Sequence, residues 1–231
     1  MEETKMDPRF ERNMPALSEK EQSLLSGSGV LIAGCGGIGG RVCELLLRAG
    51  VRKISLADGD SFSESNFNRQ AYCNQLSYGR NKAEHLAETL AITFPDAEIR
   101  TFPVFLDGQT FTQAAAGCSV VVDAVDNIRS RLFLEDACAG AGICLIHGAV
   151  HGWSVQAGVI PPGSGILHCL YKNAFEDASS EGRTVLSPAP AFCASVQAAE
   201  AIKLLAGRAP ALSGRLLVAD LSAMEMQVFT L

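Results

Sequence analysis

Gly34-Cys35-Gly36-Gly37-Ile38-Gly39-Gly40 is the stretch on which the fold turns. Before it, Gly29–Ala33 is a short run suited to a buried strand. After it, a segment from about Gly39 to Ala49 repeats Val42, Leu45, Leu46 and Ala49 on one helical face. Gly50 is placed to stop that helix, and Arg52–Asp58 reads as a second strand. Asp58 follows Gly39 by 19 positions. Strand, glycine turn, helix, strand and acid form, in that order, a pocket for a nucleotide. Gly34 allows the tight turn, Gly36 lets backbone approach phosphate, and Gly39 lets the helix pack on the strand, with Gly37 in the same turn. The helix start offers unpaired N–H groups to an anion, and Asp58 can take both ribose hydroxyls. A packed glycine turn with no ligand is the plainer alternative.

Further out, strand and helix alternate. Ser18–Ser26 reads as a helix with Ser18 as N-cap and Glu21 completing a capping box. Helices are expected at about Arg80–Thr93 and Arg129–Gly140, and strands at Ala97–Phe105, Val120–Ala124 and Cys144–His147. This order predicts an α/β, Rossmann-like, mostly parallel sheet with helices on both faces. The texture changes after about residue 150. Trp153–Ile160 and Gly165–Leu170 read as a hairpin across Pro161-Pro162-Gly163, Ala191–Leu205 as an apolar helix, and Arg215–Asp220 and Glu225–Phe229 as last strands. Antiparallel strands are therefore expected at one edge. The chain reads as a single domain over 1–231, with an N-terminal helical segment at 1–27 and a mobile crossover loop at 172–190.

At 231 residues, 48% of them hydrophobic, the chain can bury a large core. No run of about 18 apolar residues is unbroken, so no membrane span is expected. Met1–Ser18 is polar and lacks a secretory pattern, which points to the cytoplasm. A net charge of −6 argues against a nucleic-acid partner. The eight cysteines include no Cys-x-x-Cys pair and read as buried, reduced thiols.

The polar loop after Asp58 discriminates between nucleotides. A dehydrogenase needs little there beyond an adenosine contact. This chain supplies Asn66, Arg69 and Gln70, then Lys82 on the next helix. Arginine, lysine and amide donors suit a polyphosphate whose charge must be neutralised as it is attacked; alone, such a loop is equally a solvated surface. Asp126-Asn127 ends the fourth strand, where open α/β sheets bind ligands. A carboxylate there suits Mg²⁺ bridging phosphate oxygens, and either residue also suits a helix N-cap.

Together these motifs resemble the ubiquitin-activating-type adenylating enzymes in their small bacterial form, the ThiF/MoeB/HesA proteins. Arg9-Phe10-Glu11-Arg12-Asn13 resembles the family's Arg-aromatic-x-Arg-Gln/Asn, and Gly34 to Gly39 its Gly-x-Gly-Gly-x-Gly. Asp58-Gly59-Asp60 and Ser65-Asn66-Phe67-Asn68-Arg69-Gln70 resemble its Asp-x-Asp and Ser-Asn-x-x-Arg-Gln. Gly79-Arg80-Asn81-Lys82-Ala83 and Asp123-Ala124-Val125-Asp126-Asn127 complete the set. The resemblance implies ATP and Mg²⁺ as cofactors. It implies adenylation of the C-terminal glycine carboxylate of a small ubiquitin-like sulfur carrier ending in Gly-Gly, in thiamine or molybdopterin-type sulfur transfer. Asp58 and Asp60 would then belong to the nucleotide site, with Asn66, Arg69, Gln70 and Lys82 on phosphate and Asp126 on the metal. Arg12 would reach the γ-phosphate bound to a partner subunit, making the enzyme a homodimer.

The chain also departs from its relatives. Many have two Cys-x-x-Cys pairs for zinc, but here the segment is Gly165-Ile166-Leu167-His168-Cys169-Leu170, so no zinc is expected. Some carry a reactive cysteine in a Cys-Arg-Thr context, where this chain has Gly182-Arg183-Thr184. His168 and Cys169 read as strand residues, and Cys169 and Cys193 as thiols blunted by burial. His147 and His151 read as a wall of the carrier channel or plain surface rather than metal ligands, and Trp153 as core or carrier contact. Three other functions fit less well: an NAD-dependent oxidoreductase, an inactive binding scaffold, and an enzyme adenylating a tRNA base.

Overall fold

Gly29–Ala33 (β1) is buried along its whole length, because it pairs in parallel with Lys53–Ala57 (β2) on one side and Val120–Asp123 (β4) on the other. Strands covered on both faces need continuous apolar runs rather than alternation, and Val-Leu-Ile-Ala supplies one. The structure is a computed structural model, and it describes residues 7–173 and 184–231. Glu98–Phe102 (β3) flanks β2, and Cys144–His151 (β5) flanks β4, both in parallel. Ser154–Ile160 (β6), Arg215–Asp220 (β7) and Glu225–Thr230 (β8) then add antiparallel. The eight-stranded order is β3-β2-β1-β4-β5-β6-β7-β8. The expected parallel sheet with antiparallel additions at one edge is the architecture found. The chain reverses direction across the sheet between β1 and β4, which is where such sheets open a crevice at their carboxyl ends.

The described helices are Glu19–Gly27 (α1), Gly39–Ala49 (α2), Lys82–Thr93 (α3), Gly108–Ala114 (α4), Ile128–Ala141 (α5), Ile166–Leu170 (α6) and Pro188–Leu205 (α7). Alternate side chains of β1 enter opposite layers. Val30 and Ile32 pack with Leu46 of α2, Leu86 of α3 and Ala198 of α7, while Leu31 and Ala33 pack with Phe111 of α4 and Leu134 of α5. Gly50 ends α2 in the left-handed conformation at φ 110, as glycine permits. None of the described helices is long and apolar enough to cross a membrane.

The structure corrects one expected strand. Gly165–Leu170 does not form a hairpin with β6; Ile166–Leu170 is the short helix α6. Its first N–H groups, from Leu167 and His168, donate to the buried Glu135 carboxylate at 3.0 Å each. That carboxylate comes from α5, so this tertiary cap is invisible to local patterning. The hairpin partner of β6 is β5, which runs on to His151 and turns at Gly152, φ 58. β3 stops at Phe102 rather than Phe105. Helix α4 was not expected, although Asp107 caps it by accepting from Thr110 N–H at 2.8 Å, a local signal that could have found it. Within 1–27, the structure describes a 3-10 helix at Pro8–Asn13 and then α1, whose Ser18–Glu21 capping box forms as expected. Of the 172–190 crossover, 174–183, including Gly182 and Arg183, lie outside the described residues, and its last residues are helical rather than loop, because α7 starts at Pro188 and not at Ala191, with proline in its first turn.

Candidate active site

The glycine turn is wedged between strand ends. Gly34, at φ 94, donates its N–H to Ala57 O at 2.8 Å. A Cβ at Gly34 would stand 2.6 Å from Ala124 O, and one at Gly39 would stand 1.8 Å from Gly34 O. Only glycine allows the turn to lie this close to β4 and α2 to start this close to the turn. Asp58, just past β2, accepts from Cys35 N–H at 2.7 Å and from Asp60 N–H at 2.8 Å. Burial pushes its carboxyl above the usual range, against those two bonds. Each carboxylate oxygen keeps a further acceptor site for a ligand hydroxyl.

The loop after Asp58 folds back over this turn. Asn66 is buried and accepts from Ser63 N–H at 3.0 Å, which closes the 3-10 turn Glu64–Asn66. The carbonyl of Asn66 accepts from the N–H groups of Arg69 and Gln70, which sets these two side chains. Arg69 Nη1 donates to Ser65 O and Asn68 Oδ1 at 2.8 Å each. Gln70 is buried beside Gly36, its Nε2 3.4 Å from where a Cβ on that glycine would stand. Gln70 Oε1 is buried without a partner, the kind of group that a bound hydroxyl or water completes.

Asn81 was quoted in the motifs above but assigned no role, and the structure makes it a strut. Its Oδ1 caps α3 by accepting from Ala83 N–H at 2.9 Å, and its Nδ2 donates to Asp58 O at 2.9 Å. Its position immediately before Lys82 was the available signal, as an Asn N-cap. Lys82, the first residue of α3, is nearly buried, with Nζ 3.2 Å from Asp60 Oδ2. A cation at a helix N-terminus faces the positive end of the helix dipole. Such a lysine gains from an anion beyond Asp60.

Asp126 is exposed just beyond the carboxyl end of β4. The capping role falls to Asn127, whose Oδ1 accepts from Ser130 N–H at 2.8 Å, so Asp126 is not needed as the cap of α5. Because Gly34 abuts Ala124 and Val125, this loop borders the glycine turn. Among the described residues no group of three or more His, Cys, Asp or Glu side chains is arranged for a metal. Magnesium commonly uses one or two carboxylates, phosphate oxygens and several waters, and a single exposed carboxylate bordering the glycine turn fits that habit.

The structure therefore brings together Gly34, Gly36, Gly37, Gly39, Asp58, Asp60, Asn66, Arg69, Gln70 and Lys82, with Asp126 at the border. Arg12 is not with them. It is exposed on the 3-10 helix Pro8–Asn13, which is tied to the far end of α2 where Asn13 and Gln22 side chains both donate to Ala49 O. The eleven residues of α2 separate the two places, about 16 Å at 1.5 Å per residue.

Three other expectations are corrected. His147 is fully buried and is neither surface nor channel wall, because it faces Asp123 inside the sheet. His168 and Cys169 are helical and exposed rather than strand residues, since Glu135 caps α6. The burial expected for Cys169 is thus absent, whereas Cys193 is buried with its thiol pushed up to about 12 by desolvation. Cys35 is buried within the glycine turn, and burial, then the Asp58 charge, pushes its thiol well up.

Comparison with known proteins places this geometry. The family model described as "ThiF family" matches residues 10–231. The SAMP-activating enzyme E1 of Haloferax volcanii is 34% identical over 233 residues, covering 98% of this chain and 84% of that protein. The sulfur carrier protein adenylyltransferase of Thermus thermophilus is 29% identical over 223 residues, covering 92% and 82%. Against the adenylyltransferase and sulfurtransferase MOCS3 of Drosophila yakuba, identity is 32% over 220 residues, and this chain spans about half of that protein, 48%. Among solved structures, E. coli MccB with ATP superposes with a TM-score of 0.78 at 20% identity, covering 97% of this chain and 72% of that one. That likeness speaks for the fold.

Proposed function

The chain belongs to the ThiF family, and from that premise we propose that it is an adenylyltransferase acting on the C-terminal glycine carboxylate of a small ubiquitin-like sulfur carrier ending in Gly-Gly. The observation that carries this reading is the grip of Asp58 on the glycine turn at 2.7 Å, with nearly buried Lys82 beside it. A ribose acid and a phosphate cation are thereby held on one rigid frame.

The carrier carboxylate attacks the α-phosphorus of ATP; a bond forms from carboxylate oxygen to phosphorus, and the bond to the β-phosphate oxygen breaks, releasing pyrophosphate. No side chain of this chain need act as nucleophile. Asp58 takes the ribose, and the N–H groups at the start of α2 face phosphate. Lys82, Arg69, Asn66 and Gln70 neutralise and orient the phosphate oxygens, so catalysis rests on positioning and charge stabilisation. Asp126 would hold Mg²⁺, which would supply charge neutralisation to the phosphates. Arg12, about 16 Å from its own site on the helix-rise estimate, serves the γ-phosphate in the partner of a homodimer. The enzyme works in the cytoplasm, in thiamine or molybdopterin-type sulfur transfer.

ATP–pyrophosphate exchange tests this directly. Exchange should require both the protein and a carrier ending in Gly-Gly, and should vanish when the carrier's last glycine is removed. Tight NADH binding with no response to ATP would sink the reading.

A further inference from the structure

The reading of Asp126 above leaves one buried charged cluster unused. Asp123 and His147 are fully buried, and Arg131 nearly so. Asp123 on β4 and His147 on β5 are register partners, with Nδ1 of the imidazole 2.7 Å from Asp123 Oδ2. An ionised carboxylate only accepts, so Nδ1 carries the proton and Nε2 of the neutral ring is an acceptor. The Tyr171 hydroxyl stands 3.4 Å from Nε2 and 3.3 Å from Arg131 Nη1. It therefore accepts from the guanidinium and donates to the imidazole.

The remaining bonds close a ring. Arg131 Nη2 donates to Val125 O at 2.5 Å, and Val125 N–H donates to Asp123 Oδ1 at 3.2 Å. Both backbone groups of Val125 are thus held by side chains, one from β4 and one from α5, and the next residue is Asp126. Arg131 stands opposite Asp123 in this cluster, and burial holds His147 towards its neutral form. The buried Glu135 carboxylate of α5 is taken up by the N–H groups of Leu167 and His168.

Resting on that reading of Asp126, we propose that the Arg131–Tyr171–His147–Asp123 ring is a positioning device for Asp126 and the metal-bound nucleotide, with Tyr171 a positioning residue. The ring fixes the peptide from which the Asp126 carboxylate projects. Tyr171 follows α6 and lies outside the β4–α5–β5 segment that supplies the other members. Its hydroxyl is what joins that segment into a closed circuit.

Calorimetry of ATP binding to the full chain, once in excess Mg²⁺ and once in EDTA, reads the device. The ratio of the two dissociation constants is the contribution of the cation. Asp126→Ala should abolish the difference while keeping the EDTA affinity; an unchanged ratio would instead remove Asp126 from the metal site, a separate failure. Tyr171→Phe removes a partner from the buried Arg131 and His147, so it should lower the melting temperature modestly, yet keep the EDTA affinity and shrink the ratio several-fold. His147→Asn can still donate to Asp123 but leaves no acceptor at the Nε2 position that Tyr171 uses, and it should shrink the ratio likewise while keeping the EDTA affinity, at a larger loss of melting temperature because the imidazole is fully buried. The proposal is overturned if Asp126→Ala collapses the ratio while both ring variants retain it. Equal losses with and without magnesium, or failure of both ring variants to fold, would give the ring to stability alone and overturn it equally.

Discussion

The Asp58 carboxylate accepts the backbone N–H of Cys35 at 2.7 Å, across 23 residues of sequence. The bond joins the end of β2 to the turn after β1, so the Asp58 carboxylate and the backbone of the glycine turn move as one body. Asp58→Asn keeps the size and tests the charge. Its amide has one acceptor where the carboxylate serves two backbone donors, so Cys35 or Asp60 loses its partner. The variant should lose about 1–3 kcal/mol of stability and bind ATP at least about tenfold more weakly, a loss of roughly 1.4 kcal/mol. Denaturant melts and calorimetry check the two parts separately.

Gly39→Ala tests the close packing of α2 on the turn. Its Cβ would stand 1.8 Å from Gly34 O, a backbone atom that cannot step aside without carrying the turn. The helix must lift from β1, breaking contacts of Ile32 and the first turn of α2. We expect roughly 2–4 kcal/mol of destabilisation, in the range of core overpacking and worse, with nucleotide binding lost. Gly108→Ala is the control, because its Cβ would meet nothing within 4 Å, and its melting curve should be nearly unchanged.

These two residues also show which parts of the molecule could be read in advance. The glycine turn, Asp58 and the helix that follows are set by local rules of φ, periodicity and spacing, and they stand where those rules put them. Either Asp126 or Asn127 suited the N-cap of α5, and the Ser130 N–H gives that role to Asn127. Helix α6 was illegible because its cap, Glu135, lies 32 positions from Leu167. The burial of His147 was illegible for a related reason: Asp123 meets it only through the β4–β5 register, which no single segment encodes.

His147 makes stability depend on pH. Burial lowers its pKa from the ordinary 6.5, outweighing the opposing Asp123 hydrogen bond. Below 6.5 the unfolded chain binds a proton that the native ring refuses. The stabilising contribution is therefore complete above pH 6.5 and is lost as pH falls below it, at up to about 1.4 kcal/mol per pH unit. His85, lowered by burial and by Arg80, adds with the same sign. Melts of wild type and His147→Asn between pH 5 and pH 8, roughly the span over which histidine titrates, should show a shallower acid limb in the variant. Parallel curves would mean that His147 takes up its proton equally in the folded and unfolded chain, so that its pKa is not lowered by burial.

Lys82→Ala should be far costlier to function than to fold. Its ammonium has Asp60 as the partner at 3.2 Å, and Asp60 is itself exposed, so the pair contributes little to stability. Removing the cation also leaves a better helix former at the first position of α3. The melting temperature should stay within a few degrees, while exchange activity should fall by about 10²-fold or more, as when a charge-stabilising donor is lost. A variant with near-normal exchange would confine Lys82 to its ion pair with Asp60.

Arg12 tests whether the site is shared between subunits. Asn13 and Gln22 pin its segment to the carboxyl end of α2, whereas the glycine turn opens at the amino end. The helix between them is eleven residues long, so an arginine side chain cannot span the gap within one subunit unless the segment detaches from Ala49. If Arg12 serves a partner's nucleotide, Arg12→Ala and Asp126→Ala should each be inactive in exchange. Mixed after subunit exchange, they should regain activity, because one site of each mixed dimer then holds both groups intact; random mixing sets the ceiling at about a quarter of the wild-type rate. Sedimentation of the mixture verifies that dimers form, and a tagged copy verifies that they exchange. Recovery from Arg12→Ala alone, or none from a verified mixture, would return Arg12 to a role at the surface of its own subunit.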